Sequence, residues 1–219
     1  MNAFTFPYEA VDQWIKTFPK LRVLGPLTPT SADYARVLEF RMEWHKKDAP
    51  YLMDATQLEI EQTLQLDERS LHFALESDGA IIACVRATPP PLELSALSEE
   101  FCVRAAAYSG YYEFSRLCTN RSLGRKALYA SMLVVKAAQY LFSNQLAKGI
   151  VGICRDSRVT YMKRLGLHSD GFPVWLEARQ GNYELLYASK YELLNFYLAR
   201  LGEVLNERPR EALREPETA

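Results

Sequence analysis

Residues 111–126 run Tyr111-Tyr112-Glu113-Phe114-Ser115-Arg116-Leu117-Cys118-Thr119-Asn120-Arg121-Ser122-Leu123-Gly124-Arg125-Lys126 and carry more structural information than any other part of the chain. Over 111–118 the pattern is that of a β-strand. Alternation places Tyr111, Glu113, Ser115 and Leu117 on one face and Tyr112, Phe114, Arg116 and Cys118 on the other. A polar turn over 120–126 follows, then a segment from Ala127 to Leu146 that is apolar nearly all round. Such a helix is covered on most sides, as a crossover between neighbouring strands is, and Ile150–Cys154 supplies the next strand. A central strand of this kind should be apolar on both faces, yet Glu113 and Arg116 interrupt it. Buried charge has to be paired or used. The turn itself holds Arg121, Gly124, Arg125 and Lys126 at a helix N-terminus, where free amides and cations together suit a phosphate or pyrophosphate.

Working outward, Leu71–Glu76 and Ala80–Thr88 are apolar-rich strands joined by Asp78-Gly79, a dipeptide that favours positive φ and so a hairpin. Pro89-Pro90-Pro91 ends the second arm, and 92–110 is an excursion expected to be partly helical. Upstream, Tyr8–Phe18 has helical spacing, Leu21–Leu24 is a strand ended by Gly25-Pro26, and Pro29–Asp33 is a good helix start. The helix from there to about His45 sets Arg36, Phe40 and Trp44 in one row; a weaker helical stretch covers Ala55–Leu66. Downstream, Asp156 starts a short helix that stops at Gly166. Val174–Ala178 and Tyr183–Ala188 are strands around Gln180-Gly181-Asn182, and Tyr191–Leu205 is an amphipathic helix. The order implies an α/β (α+β) mixed sheet with helices on both faces. Residues 1–205 are expected to form one domain, and 206–219, with Pro209, Pro216 and many charges, a disordered tail.

Composition closes several doors. The 219 residues carry 26 basic and 27 acidic side chains, so the footprint of a general nucleic-acid binder is missing. With 48% hydrophobic residues, disorder is excluded for the body of the chain. The most apolar run, 127–142, contains Lys136 and falls short of a membrane span. The start, Met-Asn-Ala-Phe, lacks a signal's basic flank and apolar run, so a cytoplasmic protein is expected. His45, His72 and His168 fall into no zinc spacing, and no metal is expected. Cys84, Cys102, Cys118 and Cys154 form no Cys-x-x-Cys pair. Cys118 and Cys154 read as small buried hydrophobes, no histidine being near them in sequence.

The succession of strand, basic Arg-x-x-Gly turn, long helix, strand and short helix resembles the acyl-donor half of the GNAT acyltransferase superfamily. The usual turn there is Gln/Arg-x-x-Gly-x-Gly/Ala; here lysine (Lys126) stands where a small residue is normal. Glu113-Phe114-Ser115-Arg116 is similar to the Glu-x-Ser-Arg motif of acyl-homoserine-lactone synthases and of their relatives, the long-chain N-acyl amino acid synthases. Arg36, Phe40 and Trp44, then Asp48 and Asp54, Arg86 and Phe101 agree in order, and the similarity spans roughly Val23–Gly171.

The resemblance implies a GNAT-like acyl-CoA N-acyltransferase fold with an extra C-terminal helix, no permanently bound cofactor, and acyl carrier protein or coenzyme A as carrier of the acyl donor. It implies catalysis by Glu113, Ser115 and Arg116, and a donor site of Leu117, Cys118, Thr119, Arg121, Gly124, Arg125 and Lys126. A small amino-acid-like acceptor would meet Arg86, Arg36 and Trp44. The chemistry agrees: attack on a thioester needs a free amine, an α-amino group has a pKa of ~8, and a half-buried carboxylate such as Glu113 can take its proton. Arg86 and Arg116 suit either an acceptor carboxylate or the anchoring of Glu113 and acidic helix residues. Phe114, Leu117, Met132, Val135 and Ile153 are candidates for an acyl tunnel, and Tyr161 or Met162 for the place of a catalytic tyrosine. Alternatives are a lactone synthase using S-adenosylmethionine, an acetyl-CoA N-acetyltransferase, a non-catalytic GNAT-like binding module, and a purely structural Glu113–Arg116 pair. Replacing Arg121, Arg125 and Lys126 together is expected to weaken donor or carrier binding and to flatten its salt dependence at constant fold. Titration of donor between low and moderate salt checks this; unchanged affinity at low salt would make the turn a solvated one.

Overall fold

The computed structural model describes residues 12–13, 15–48, 57–124 and 126–206. Its strands are β1 (Leu21–Leu27), β2 (Leu71–Ser77), β3 (Ala80–Thr88), β4 (Tyr111–Thr119), β5 (Gly149–Arg155), β6 (His168–Ser169), β7 (Val174–Leu176) and β8 (Gly181–Ser189). The helices are α1 (Tyr34–Asp48), α2 (Gln57–Glu68), α3 (Glu99–Ala105), α4 (Lys126–Ser143), α5 (Val159–Lys163) and α6 (Lys190–Asn206). Among these residues the strands form one eight-stranded sheet in the order β1-β2-β3-β4-β5-β8-β6, with β7 also on β8. Only β4–β5 is parallel among the described pairings; it is the pair joined by the α4 crossover.

Both faces are covered, as expected. On one, α4 and α6 bury Met132, Leu133, Leu141, Leu193 and Tyr197 against Phe73, Leu75, Val85, Ile150 and Ala188. On the other, Val37, Phe40 and Trp44 of α1 cover Leu24, Ala74 and Cys84, while Leu94 and Phe101 cover Val151 and Leu185. The β2–β3 hairpin turns at Asp78 and Gly79, with φ of 49° and 80°, the left-handed pair that the Asp-Gly dipeptide favours.

Several local expectations are corrected. β1 does not end at Gly25-Pro26 but runs to Leu27, absorbing the dipeptide as an irregularity between Leu24 and Leu27. β7 stops at Leu176 and passes into a 3-10 turn over Glu177–Arg179, and β6 was not foreseen. The largest correction is in β4. Arg86 pairs with Ser115 and Cys84 with Cys118, so Arg116 and Leu117 together oppose Val85, and Arg116 takes φ +56°. This bulge reverses the alternation. Leu117 joins Tyr112 and Phe114 on the α4 face, whereas Arg116 turns toward the side of Glu113 and Ser115. Trp14, Asp54, Arg125 and 207–219 lie outside the described residues.

Gly152 marks the end of the β4–β5 pairing, whose last partners are Glu113 and Val151. A Cβ at Gly152 would fall 2.5 Å from the Phe114 carbonyl oxygen, a backbone atom that cannot swing away. Gly152→Ala is therefore expected to destabilise the fold by about 1–3 kcal/mol, the usual cost of overpacking. Denaturant unfolding of the purified variant measures it.

Candidate active site

Beyond Glu113 and Val151, β4 and β5 no longer pair with each other. A cavity of about 460 Å³ opens between them, walled by Ser115–Thr119 of β4 and Gly152–Arg155 of β5. Apolar side chains of Phe114, Leu117, Val134, Ile153, Met162 and Leu186 share its lining with the guanidinium groups of Arg116, Arg121, Arg155, Arg158 and Arg179. An apolar slot bordered by cations is thus built where two parallel strands part.

Beside the cavity, a chain of buried charge runs across five elements. Arg41 of α1 donates from Nη1 to Asp67 Oδ1 at 3.1 Å, and from Nη2 to Asp67 Oδ2. Arg86 of β3, at 0% exposure, donates from Nη1 to Asp67 Oδ1 (2.8 Å) and from Nε to Ser115 Oγ (3.0 Å), and from Nη2 to Glu93. Arg116 closes the series, its Nη2 donating to Glu93 Oε1 at 2.8 Å. Burial alone would raise the carboxyls of Asp67 and Glu93. Arg41 and Arg86 outweigh it for Asp67, and Arg116, Arg86 and Arg179 for Glu93, so both are held below the usual carboxylate range.

Glu113 differs. It is 2% exposed and accepts the Leu94 N–H at 3.0 Å. Burial, and then the negative charge of Glu93, push its carboxyl up to about 7, against the pull of Leu94, Arg86 and Arg116. Two neighbouring carboxyls with values forced apart, one held as the anion and one poised near neutrality, form the arrangement in which acid–base work is done.

The expected site residues divide accordingly. Trp44, Ser115, Arg116, Leu117, Cys118, Thr119 and Arg121 meet around the cavity. Glu113 and Arg86 are packed behind it, and no hydrogen bond joins Glu113 to Arg116, which spends its guanidinium on Glu93. Arg36 points elsewhere, toward Asp33 (2.5 Å), Glu76 (2.7 Å) and the Gly79 carbonyl (2.7 Å). Gly124 lies exposed in the turn; Arg125 and the Lys126 side chain are outside the described residues, as are those of Asp48 and Asp54. Of the proposed tunnel, Phe114, Leu117 and Ile153 line the cavity, whereas Met132 and Val135 belong to the core and Val134 takes their place. Tyr161 and Met162 both reach the wall.

Sequence reasoning missed Asp67, Glu93 and His45. The first two sit in a helix and a turn whose charges look solvated; only Arg86 and Arg116, cations in apolar-rich strands, hinted that acids must come to meet them. His45 comes to the same cavity wall as Cys118, which lies 73 residues further along the chain. No group of three or more metal-ligating side chains occurs, and no helix is long and apolar enough to cross a membrane, among the described residues.

This architecture is the GNAT fold. FeeM, an N-acyl amino acid synthase from uncultured soil microbes, matches with a TM-score of 0.59 at 12% identity, over 79% of this chain and 91% of that one. The AHL synthase LasI matches at 0.57 and 14% identity, over 78% and 90%. An acyl-CoA N-acyltransferase from Pseudomonas aeruginosa follows at 0.52 and 14%, over 77% and 98%. No protein-family model matches the sequence, and neither does any curated protein.

The raised Glu113 carboxyl has a thermodynamic signature. Its folded value lies above the 4.5 of a free glutamate, so the folded state binds the extra proton and stability falls as pH rises from about 4.5 through 7. Glu113→Gln removes that loss while its amide oxygen can still accept from Leu94. The variant is expected to match the wild type in stability at pH 4.5 and to exceed it by roughly 2–4 kcal/mol at pH 8. Unfolding curves across pH measure this; a variant less stable at pH 8 would mean that the anion is structurally paired.

Proposed function

We propose that this chain is an N-acyltransferase that moves an acyl group, of fatty-acyl length, from a carrier thioester to the amine of a small amino-acid-like acceptor. The observation that carries the proposal is the cavity at the parting of β4 and β5, apolar along its strands, cationic beside them and backed by the Glu93–Glu113 pair. A fatty chain needs such an apolar slot and a phosphorylated carrier such cations. The GNAT fold shared with an N-acyl amino acid synthase and an AHL synthase supports the same reading.

In this proposal the amides of Leu117–Thr119 face the thioester carbonyl, where negative charge develops. Arg121, with Gly124, Arg125 and Lys126 of the turn, holds the phosphate-bearing arm of acyl carrier protein or coenzyme A. Trp44 and Arg116 meet the acceptor. Arg86 and Ser115 hold Glu93 and Arg116 in place as positioning residues, and Glu113 receives the proton of the ammonium as the amine attacks, through intervening solvent since it stands behind the wall. Such donors place the enzyme in the cytoplasm. No permanently bound cofactor is required.

Screening acyl-carrier and coenzyme A thioesters against amino acids and S-adenosylmethionine tests the class. Thiol release that requires both donor and amine is expected. A homoserine lactone product would instead make it a lactone synthase, transfer from acetyl-CoA alone an N-acetyltransferase, and retained thioester binding without any transfer a binding module. Glu113→Gln is expected to keep donor binding while lowering turnover by ~10²–10⁴, with recovery at high pH where the amine deprotonates unaided. Full activity per folded molecule would remove Glu113 from the mechanism.

A further inference from the structure

The connection between β7 and β8 builds a cation into the cavity wall and leaves it without an anion. The 3-10 turn Glu177–Arg179 ends on Gln180 in the left-handed region, at φ +46°. The turn is closed on itself. Gln180 donates from its backbone N–H and from Nε2 to the Glu177 carbonyl (3.2 and 2.7 Å), and from Nε2 to Glu177 Oε1 (2.9 Å). Glu177 Oε2 accepts from Trp175 Nε1 at 2.8 Å, so the acid nearest in sequence is already engaged. Arg155 of β5 fastens the turn to the sheet, its Nη2 donating to the carbonyls of Arg179 (2.7 Å) and Gln180 (3.2 Å). The Arg179 side chain lies over the ring of Tyr183, its guanidinium carbon 5.5 Å from the ring centre, and Arg155 stands 5.9 Å from the same ring. Tyr183 is 4% exposed, so the platform under Arg179 is a fixed one.

Among the described residues the Arg179 guanidinium, which lines the cavity, has no hydrogen bond and no ion pair. The other cavity guanidiniums are placed differently: Arg116 is bonded to Glu93, Arg155 to the turn, Arg121 precedes α4, and Arg158 is exposed. Two observations say which anion Arg179 would meet. The first is the face of the sheet. Arg155 pairs with Tyr183 and Glu113 with Val151, and Val151 and Tyr183 belong to the cluster that Leu94 and Phe101 cover. Arg179 therefore stands on the face of Glu113, whereas α4, whose N-terminal turn is proposed to hold the donor phosphates, packs on the opposite face. The second is charge. The buried series has three guanidiniums, Arg41, Arg86 and Arg116, to two carboxylates, Asp67 and Glu93. Arg179 adds a further cation on that side; against burial, and after Arg116 and Arg86, its charge helps to hold Glu93 below the usual range. A carboxylate suits such a wall, while an amine without one would bring only another cation.

We propose that Arg179 binds the carboxylate of the acceptor, so that the enzyme selects free amino acids over their carboxamides, their esters and simple amines. The inference rests on the acyltransferase reading above and names the group by which that site chooses its acceptor. The planar fork of Arg179 suits both carboxylate oxygens at once. Held there, the acceptor carries its amine to the side of the sheet on which Glu113 receives the proton. Arg155 and Tyr183 are positioning residues: one fixes the turn backbone, the other supports the guanidinium from beneath.

The test uses the full chain, decanoyl-CoA and decanoyl acyl carrier protein as donors, and a panel of free amino acids, each beside its carboxamide and its decarboxylated amine. Acylated product is expected from the free acids, with kcat/KM ~10–100-fold above that of the matching carboxamide, the worth of a hydrogen bond to a charged group. Arg179→Ala should raise the KM of the amino acid by the same factor and erase its preference over the carboxamide, with the KM of the donor and the melting temperature unchanged. Arg179→Lys, which keeps the charge and loses the fork, should recover part of that preference. Carboxamides used as well as acids by the wild type, or a preference that survives in Arg179→Ala, would overturn the proposal. So would a loss confined to the KM of the donor, which would make Arg179 a contact of the donor phosphates. Calorimetric titration of the same acids and carboxamides separates this from the acyltransferase reading. Binding of acid over carboxamide that Arg179→Ala abolishes, with no product from any pair, would keep the carboxylate site and remove that reading; no preference for the acid in either measurement would overturn the site itself.

Discussion

The fully buried guanidinium of Arg86 is the contact on which this site is organised. It sits in the middle of the sheet, where an unpaired cation would cost several kcal/mol, so the chain has to bring oxygen atoms to it. They come from Asp67 of α2, Ser115 of β4 and Glu93 of the turn after β3. Satisfying one side chain thus fixes three segments that are distant in sequence. Arg41 and Arg116 extend the series outward and tie in α1 and the bulge. Removing any one member would strand its neighbours, which is why the set acts as a unit.

The charge series also explains the chemistry of Glu113. Glu93 is held as an anion by the arginines around it, and its charge adds to burial in lifting Glu113 toward neutrality. Neither carboxyl would have its character without the other. The backbone contributes separately. The left-handed turn at Arg116 costs of order 1–3 kcal/mol, an expense met where the fold over-determines it. What it achieves is to point Arg116 at Glu93, Leu117 into the core and Cys118 toward α1. The same few residues mark where β4 and β5 part, so bulge, cavity and charge series are one construction.

Much of this was legible in the primary structure. The hairpin at Asp78-Gly79, the crossover from β4 through α4 to β5, and the mixed sheet covered on both faces follow from local φ preferences and apolar periodicity, which depend on neighbours in the chain. Glu113 and Arg116 stood out because charge in a central strand demands an account. Their partners did not stand out. Glu93 and Asp67 have the look of surface acids, and the alternative of a Glu113–Arg116 pair gave way to bonds with Leu94 and Glu93. Arg36, in one helical row with Phe40 and Trp44, bonds to Glu76 and the Gly79 carbonyl at the β2–β3 turn, whereas Trp44 at the other end of the row reaches the cavity.

By itself, then, the sequence determined most of the elements, their order, the fold class and that charge at Glu113 and Arg116 must be accounted for inside a strand, because period, turn geometry and desolvation act locally or on single side chains. Tertiary structure alone decided which groups meet. One inserted residue in the β4 register reversed the faces beyond Ser115, and no periodicity announces a bulge at a non-glycine position. The meeting of His45 and Cys118 on one cavity wall, and the approach of Asp67 and Glu93 to Arg86, depend on how whole helices and turns settle on the sheet. Those contacts are set by packing and by pairing of buried charge, whose partners are chosen by distance in space and leave no mark in sequence spacing.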